Sequence, residues 1–331
     1  MPNHRSPVRR AQPHQSRPRN ACYPTRLIKP GSSWAPFDPR PKLTSSPSHH
    51  MVVTIIGIGL IGGSLALSLK ETGLAHHIIG VDRSPENQRQ AIALGLVDEV
   101  ANDLAAAVQR ADLVVVAVPM DAMLGVLPQV LDAATDRQVV IDVGSTKATL
   151  LAAVEAHPHR TRFVAVHPMA GTEYSGPSAA VPGLFKGKTL VICDAARSAE
   201  DAVARVEAVF GRLAMQLVYM DATAHDLHTA YISHISHITS FALALTVLEK
   251  EKEEQQIFAL ASGGFESTVR LAKSSPDMWV PIFRQNRVNV LDVLDEHIHQ
   301  LQHLRELIHQ EDYSAVYQQI EQANLIKKIL K

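Results

Sequence analysis

The sequence predicts an α/β chain: a doubly wound sheet of the parallel type in its first part, followed by an all-helical segment. Three observations carry that prediction. An apolar run at 52–56 breaks into closely spaced glycines and then resumes at helical spacing. Short β-branched runs alternate afterwards with helical patterns across short connections, as an α/β domain requires. Past residue 220 the strand-like runs stop and long segments of helical period take over.

The elements follow in order. Val52-Val53-Thr54-Ile55-Ile56 reads as a buried strand, and Gly57-Ile58-Gly59-Leu60-Ile61-Gly62 as the turn into a helix. Gly57 allows the tight turn, Gly59 lets the backbone approach a pyrophosphate, and Gly62 lets the helix pack closely on the sheet. The start of that helix, at Leu60 and Ile61, faces the anion with its positive end. A second strand, Ile78-Ile79-Gly80-Val81, ends in Asp82. That spacing is the dinucleotide fingerprint of a Rossmann-type domain, with the acid on the ribose hydroxyls. Asp82 repels a 2′-phosphate and so favours NAD over NADP, while Arg83 beside it can stack on adenine or reach a phosphate. The competing reading of Asp82 is a helix cap or loop carboxylate. Residues 85–95 then read as a helix, with Ser84 as N-cap and Pro85 in its first turn. Runs at 112–119 and 138–143 read as buried parallel strands. Further strands are expected at 162–167, 189–193 and 216–219, with a helix at 200–212. Residues 224–248 read as a long helix ending in the charged run 249–256. Residues 276–310 carry Val280, Phe283, Val288, Leu291, Leu294, Ile298, Leu301, Leu304 and Ile308 close to helical spacing. So extended an apolar stripe points to a homodimer, the alternative being an intrachain bundle.

The expected organisation is a disordered basic extension at 1–50, a dinucleotide-binding domain at 51–220 and a helical substrate-binding and dimerisation domain at 221–331. Residues 1–50 hold nine Lys/Arg and one acid, Asp38, leaving 23 Lys/Arg against 32 Asp/Glu in the rest. The body is therefore acidic, which disfavours nucleic acid as a ligand. The first 50 residues are rich in Pro, Arg, Ser and His and show no period, so disorder is expected. They read as an upstream extension before a natural start at Met51, with a targeting segment or a basic tail as alternatives. Cys22 and Cys193 suggest no disulfide framework and fit a reducing, cytoplasmic setting. No window of about 18 uncharged apolar residues stands out, so no membrane association is expected.

In parallel α/β sheets ligands bind beyond the carboxyl ends of the strands. Polar residues gather there in Val118-Pro119-Met120, in Asp142-Val143-Gly144-Ser145-Thr146-Lys147 and in His167-Pro168-Met169-Ala170-Gly171-Thr172-Glu173. The helical part adds Ser233-His234-Ile235-Ser236-His237 and the stretch from Gly263 through Arg270 to Lys273 and Trp279. In this order and spacing the segments resemble the prephenate dehydrogenase family, which includes the arogenate and cyclohexadienyl dehydrogenases. The resemblance spans 51–310. It implies a two-domain fold and NAD-dependent oxidative decarboxylation of prephenate to 4-hydroxyphenylpyruvate in tyrosine biosynthesis, with arogenate as the alternative substrate.

The resemblance also implies roles. His167 is the catalytic histidine that accepts a hydrogen bond from the 4-hydroxyl, assistance worth roughly 10²- to 10⁴-fold. Ser145 sits between that histidine and the nicotinamide, and an N-cap role is its alternative. Arg270 binds a substrate carboxylate, for which a planar guanidinium is suited. His234 and His237 line the substrate side, Glu173 stands at the entrance, and Gly263 marks a loop approaching the substrate side chain. Val118 and Pro119 border the cofactor. Lys147 is left without a chemical role, and Trp279 is a weak candidate. His225 and His228 lie near enough in sequence for a metal set, but no completing carboxylate or thiolate is evident, so no metal is expected. Two other functions stay open: a β-hydroxyacid dehydrogenase using Lys273, and a non-catalytic NAD sensor.

Overall fold

Eight strands form one sheet in the order β3-β2-β1-β4-β5-β6-β7-β8. They are β1 (Met51–Ile56), β2 (Ala75–Val81), β3 (Glu99–Val100), β4 (Leu113–Val116), β5 (Val139–Asp142), β6 (Phe163–Pro168), β7 (Thr189–Cys193) and β8 (Gln216–Met220). The computed structural model describes residues 51–254 and 256–329; the expectations for 1–50 lie outside them. Strand β4 shows why the β-branched runs become central strands. Leu113, Val114, Val115 and Val116 are all at most 1% exposed, and each such burial contributes about 1.5–3 kcal/mol. All neighbours pair in parallel except β6 and β7, which pair antiparallel. The connection at 169–188 contains only a single 3₁₀ turn, Pro177–Ala179, so no crossover helix returns the chain for a parallel β7.

Helices α1 (Leu60–Glu71), α2 (Pro85–Ala93), α3 (Leu104–Arg110), α4 (Met120–Ala133), α5 (Ala148–Val154) and α6 (Glu200–Arg212) cover the sheet. Two buried clusters, built on residues such as Ile55 and Leu65 on one side and Val114 and Leu127 on the other, fill the space beneath them. Ser84 caps α2 by accepting from Asn87 N at 3.3 Å, as its position before Pro85 suggests. The alternative N-cap role for Ser145 is corrected. Helix α5 begins at Ala148, after Lys147, and its first N–H groups are held by the Asp226 carboxylate instead. A side chain from another element reaches these donors, which a reading of local sequence does not register.

After β8 the chain is helical: α7 (Ala222–Thr229), a π-helical turn at Ala230–His234, α8 (Ile235–Glu254), α9 (Gly263–Val269), α10 (Pro276–Gln285), α11 (Arg287–His309) and α12 (Tyr313–Ala323). The continuous segment expected at 276–310 is divided at Asn286, whose side chain is drawn into the interior and bonds the Asp226 carbonyl. Part of the apolar stripe stays outside the protomer: Val280, Val288, Leu291, Ile298, Leu301 and Ile308 are exposed. An intrachain bundle therefore does not cover them.

The reading of no apolar window also needs correction. Ala222–Glu254, 33 residues, is long and apolar enough by length and composition to cross a membrane, and only 11% of its most apolar window is buried. Its Ser, Thr and His residues mask this in the sequence. His225, Asp226, His234 and Ser240 in this segment are buried and bonded within the protomer.

At the C-terminal edge of the sheet lies a fully buried ion pair, Lys147 Nζ to Asp142 Oδ2 at 2.7 Å. Lys147 Nζ also donates to the Gly144 carbonyl, and Asp142 accepts from Gly144 N and Val166 N. Removing one partner strands the other charge in the interior. Lys147→Met is expected to destabilise the protein by about 3–5 kcal/mol, read as a lowered midpoint in urea denaturation.

Candidate active site

The strand order places the carboxyl ends of β1, β4, β5 and β6 side by side, so Gly57, Val118, Ser145 and His167 arrive on one edge. Strand order reverses between β1 and β4, where open α/β sheets form a ligand crevice.

The glycines there divide into two kinds. Gly57 has φ +93°, and a Cβ on it would lie 2.6 Å from the Ala117 carbonyl oxygen. A Cβ on Gly62 would lie 2.1 Å from Gly57 O. The fold itself demands both. Gly59 has ordinary φ (−90°), and a Cβ there would meet nothing within 4 Å. Its want of a side chain answers no need of the protein's own packing, which fits a ligand backed against the turn. No side chain caps α1, and no acid lies in its first turn, so Leu60 and Ile61 present N–H groups suited to an anion.

Asp82 is fixed from three directions: Oδ2 accepts from Ile58 N at 3.0 Å, and Oδ1 from Ser84 N at 2.9 Å and Asn87 Nδ2 at 3.3 Å. It thus is a loop carboxylate as well. A carboxylate has about four lone-pair sites, so acceptor capacity remains for a ribose hydroxyl. Arg83 is exposed next to it, and Pro119 stands at the start of α4.

His167, at the end of β6, is buried, and its Nδ1 lies 2.8 Å from His225 Nε2. His225 is fully buried in turn, with Nδ1 2.8 Å from Asp226 Oδ1. Burial pushes the His167 imidazole well below its usual pKa, reinforced by Lys147, His225 and His234. Burial also lowers His225, against the opposing bond to Asp226. For Asp226 burial opposes ionisation, but the bonds from His225, Ala148 N and Lys147 N outweigh it and hold the group below the usual carboxylate range. The sequence reading leaves His225 as a neighbour in a doubtful metal set and gives Asp226 no part. Their only signal there is an adjacent His-Asp pair at a helix start.

From His167 a line of polar groups runs outward. Burial takes His234 down to about 4, with His225 and His237 contributing. His237 stacks on Trp279, ring centroids 3.5 Å apart, and its Nδ1 donates to Ser233 O at 3.0 Å. Trp279 also meets His234 edge-on and is buried in the core. Burial lowers His237 too, and Arg270 adds to that effect. Arg270 pairs with Glu173 at 3.2 Å, beside a cavity of about 570 Å³ lined by Glu173, Tyr174, Ser178, Lys273 and Ser275. Ser145 is half-buried on the same edge, and no bond from it to His167 is present among the described residues. Gly263 begins α9 in an exposed position with nothing packed against it. Gly144 explains itself locally: a Cβ would lie 2.5 Å from Met120 Sδ.

A Gly-rich turn suited to an anion and a buried histidine thus lie on one edge of the sheet, and comparison with known families places the chain. Residues 65–219 match the nucleotide-binding domain of prephenate dehydrogenase, and residues 221–322 match the dimerization domain of prephenate dehydrogenase. The chain belongs to the prephenate dehydrogenase family. Among family members, the prephenate dehydrogenase of Bacillus subtilis is 33% identical over 267 residues, 80% of this chain and 72% of that protein. The cyclohexadienyl dehydrogenase of Zymomonas mobilis is 31% identical over 84% of this chain and 96% of that protein. The structure of prephenate dehydrogenase from A. aeolicus in complex with hydroxyphenyl propionate and NAD+ superposes with a TM-score of 0.79 at 30% identity, covering 87% of this chain and all of that one.

Two outcomes test this geometry. Gly62→Ala should lower the melting temperature by the equivalent of about 1–3 kcal/mol, whereas Gly59→Ala should melt as the parent does and bind dinucleotide more weakly by calorimetry. The four histidines 167, 225, 234 and 237 all titrate below their usual value in the folded state. Unfolded histidines bind protons from about pH 6.5 downward, so the unfolded state holds more protons in that window and stability rises with pH. Stability should be full above about pH 6.5 and decline as pH falls towards the folded values, measured as denaturation midpoints between pH 7.5 and 4.5.

Proposed function

We propose that this member of the family carries out the NAD-dependent oxidative decarboxylation of prephenate to 4-hydroxyphenylpyruvate, for tyrosine biosynthesis. The observation that carries the reading is His167, held through Nδ1 by a buried His-Asp pair at the sheet edge that the nucleotide crevice occupies. NAD supplies the hydride acceptor when bound along Gly57, Gly59, Leu60, Ile61, Gly62, Val118 and Pro119, with Asp82 on the adenosine ribose and Arg83 beside the adenine. A free ribose 2′-hydroxyl suits Asp82 better than a phosphate does.

His167 accepts the proton of the ring 4-hydroxyl as the C4 hydride departs. A neutral, buried imidazole keeps this capacity well below neutral pH. The electrons of the breaking C1–carboxylate bond flow into the ring, carbon dioxide leaves, and aromatisation drives the step. Ser145 orients the hydroxyl between His167 and the nicotinamide. Arg270 leaves Glu173 to fork onto a substrate carboxylate, and His234 and His237 hold the anion on the far side. The Gly263 segment approaches the side chain. Arogenate differs by an ammonium in place of the keto oxygen, and the likeness to a cyclohexadienyl dehydrogenase keeps that substrate in view.

The helical part assembles two copies into a homodimer. Exposed Leu245 and Leu248 on α8, Val288, Leu301 and Ile308 on α11 and Ile320 on α12 are the apolar faces that a second copy covers. We place the enzyme in the cytoplasm, which the buried free thiol of Cys193 supports.

The test is steady-state nicotinamide reduction with prephenate and arogenate, each with NAD and NADP. Prephenate with NAD should give the highest kcat/KM; preference for arogenate would change the substrate, and no turnover with either would overturn the reading. His167→Asn should cut kcat by about 10²- to 10⁴-fold with little change in KM, and Arg270→Ala should chiefly raise KM.

A further inference from the structure

Histidine can act as donor or acceptor at Nε2, and which it does depends on what holds Nδ1. Four imidazoles crowd this site, and two buried side chains that touch no substrate position settle the matter. We propose that Asp226 and Asn286 are positioning residues that fix the protons of the site's histidines, leaving His167 an acceptor at Nε2 and His234 a donor at Nε2. This rests on the dehydrogenase reading above and deepens it.

The Asp226 carboxylate does three things at once. Oδ1 accepts from His225 Nδ1 at 2.8 Å and from Lys147 N at 2.8 Å, and Oδ2 accepts from Ala148 N at 2.9 Å. An ionised carboxylate only accepts, so the His225 proton sits on Nδ1. Neutral His225 then offers a lone pair at Nε2, and His167 Nδ1, 2.8 Å away, must donate to it. The remaining ring nitrogen of His167 is thereby a lone pair, available to a hydroxyl proton. The same carboxylate also holds the first backbone donors of the segment that carries Ser145, so the base and its neighbouring hydroxyl are registered by one group.

Asn286, 3% exposed, imposes the opposite sense on His234. Its Nδ2 donates to the Asp226 backbone carbonyl at 2.6 Å and lies 3.2 Å from His234 Nδ1, while its Oδ1 accepts from Asn289 Nδ2 at 2.7 Å. Flipping the amide would set Oδ1 against a carbonyl oxygen and Nδ2 against an amide nitrogen, so the orientation is determined by its partners. An amide nitrogen only donates. His234 Nδ1 therefore accepts, and the proton of the neutral ring lies on Nε2. No partner for that Nε2 is present among the described residues. Two neighbouring histidines thus meet the substrate with opposite polarity: one ready to take a hydroxyl proton, the other ready to give a hydrogen bond to an anionic oxygen.

The experiment is ¹⁵N–¹H correlation spectroscopy on the full chain with ¹⁵N-labelled histidine, saturated with NAD, its signals assigned by single histidine variants. Nδ1–H is expected for His167 and His225 and Nε2–H for His234; the reverse tautomer at His167 or His234 overturns the proposal without any assay of turnover. Asp226→Asn should reduce kcat by about 10²- to 10⁴-fold with KM changed by less than about threefold and NAD affinity kept, and the Nδ1–H preference of His225 should be lost. Asn286→Leu removes the donor at nearly the same volume, so the Nε2–H preference of His234 should be lost and KM should rise more than kcat falls. Wild-type kcat in Asp226→Asn, or an unmoved His234 signal in Asn286→Leu, would sink it. Lack of turnover of prephenate and arogenate by the parent protein fails the functional reading instead, and the spectra still decide the proton positions.

Discussion

The buried pair of Lys147 and Asp142 is the contact on which the site's geometry depends. Both side chains are out of water, and the pair survives there because its remaining polar capacity is used. Asp142 reaches Gly144 N at the turn after β5 and Val166 N on β6, while Lys147 closes on the Gly144 carbonyl. The pair thus clamps the end of one strand, the turn that carries Ser145, and the strand that ends in His167. It acts electrostatically as well. Burial is the main cause of the low His167 pKa, and the ammonium of Lys147 adds to it by disfavouring a second cation nearby.

Around that clamp, the molecule separates what the fold requires from what a ligand requires. Gly57, Gly62 and Gly144 lack side chains because protein atoms already stand where a Cβ would go. Gly59 lacks one although the protein leaves room. Asp82 combines both demands, tied to the Gly-rich turn through Ile58 N while keeping acceptor capacity for a sugar. The helical part mirrors this division. Its inward polar residues are bonded into the site, and its outward apolar residues, including those on a helix with the length and composition of a membrane span, stay uncovered within the protomer.

Much of this was legible in the sequence because it depends on local pattern. The β-branched run at 113–116 has one economical fate, burial in the middle of a sheet, and Ser84-Pro85 announces a helix start by its own chemistry. His167, Arg270 and Glu173 stood out through the motifs around them. What stayed hidden depends on contacts between distant segments. Asp226 caps a helix 78 residues upstream; Asn286 breaks a helix that the apolar period alone would continue, because its amide is satisfied by the Asp226 carbonyl 60 residues away. The antiparallel β7 likewise follows from a connection with no crossover helix, which the strand pattern of β7 itself does not reveal.

By itself, then, the sequence determined the fold class and the dinucleotide turn and singled out the residues proposed to react, since hydrophobic period, glycine placement and side-chain chemistry are properties of short segments. Tertiary structure alone decided which nitrogen of each histidine faces outward, which carboxylates are spoken for and which apolar faces remain uncovered. Those outcomes follow from the direction of hydrogen bonds and the exclusion of water between residues far apart in the chain, and neither exists until the chain has folded.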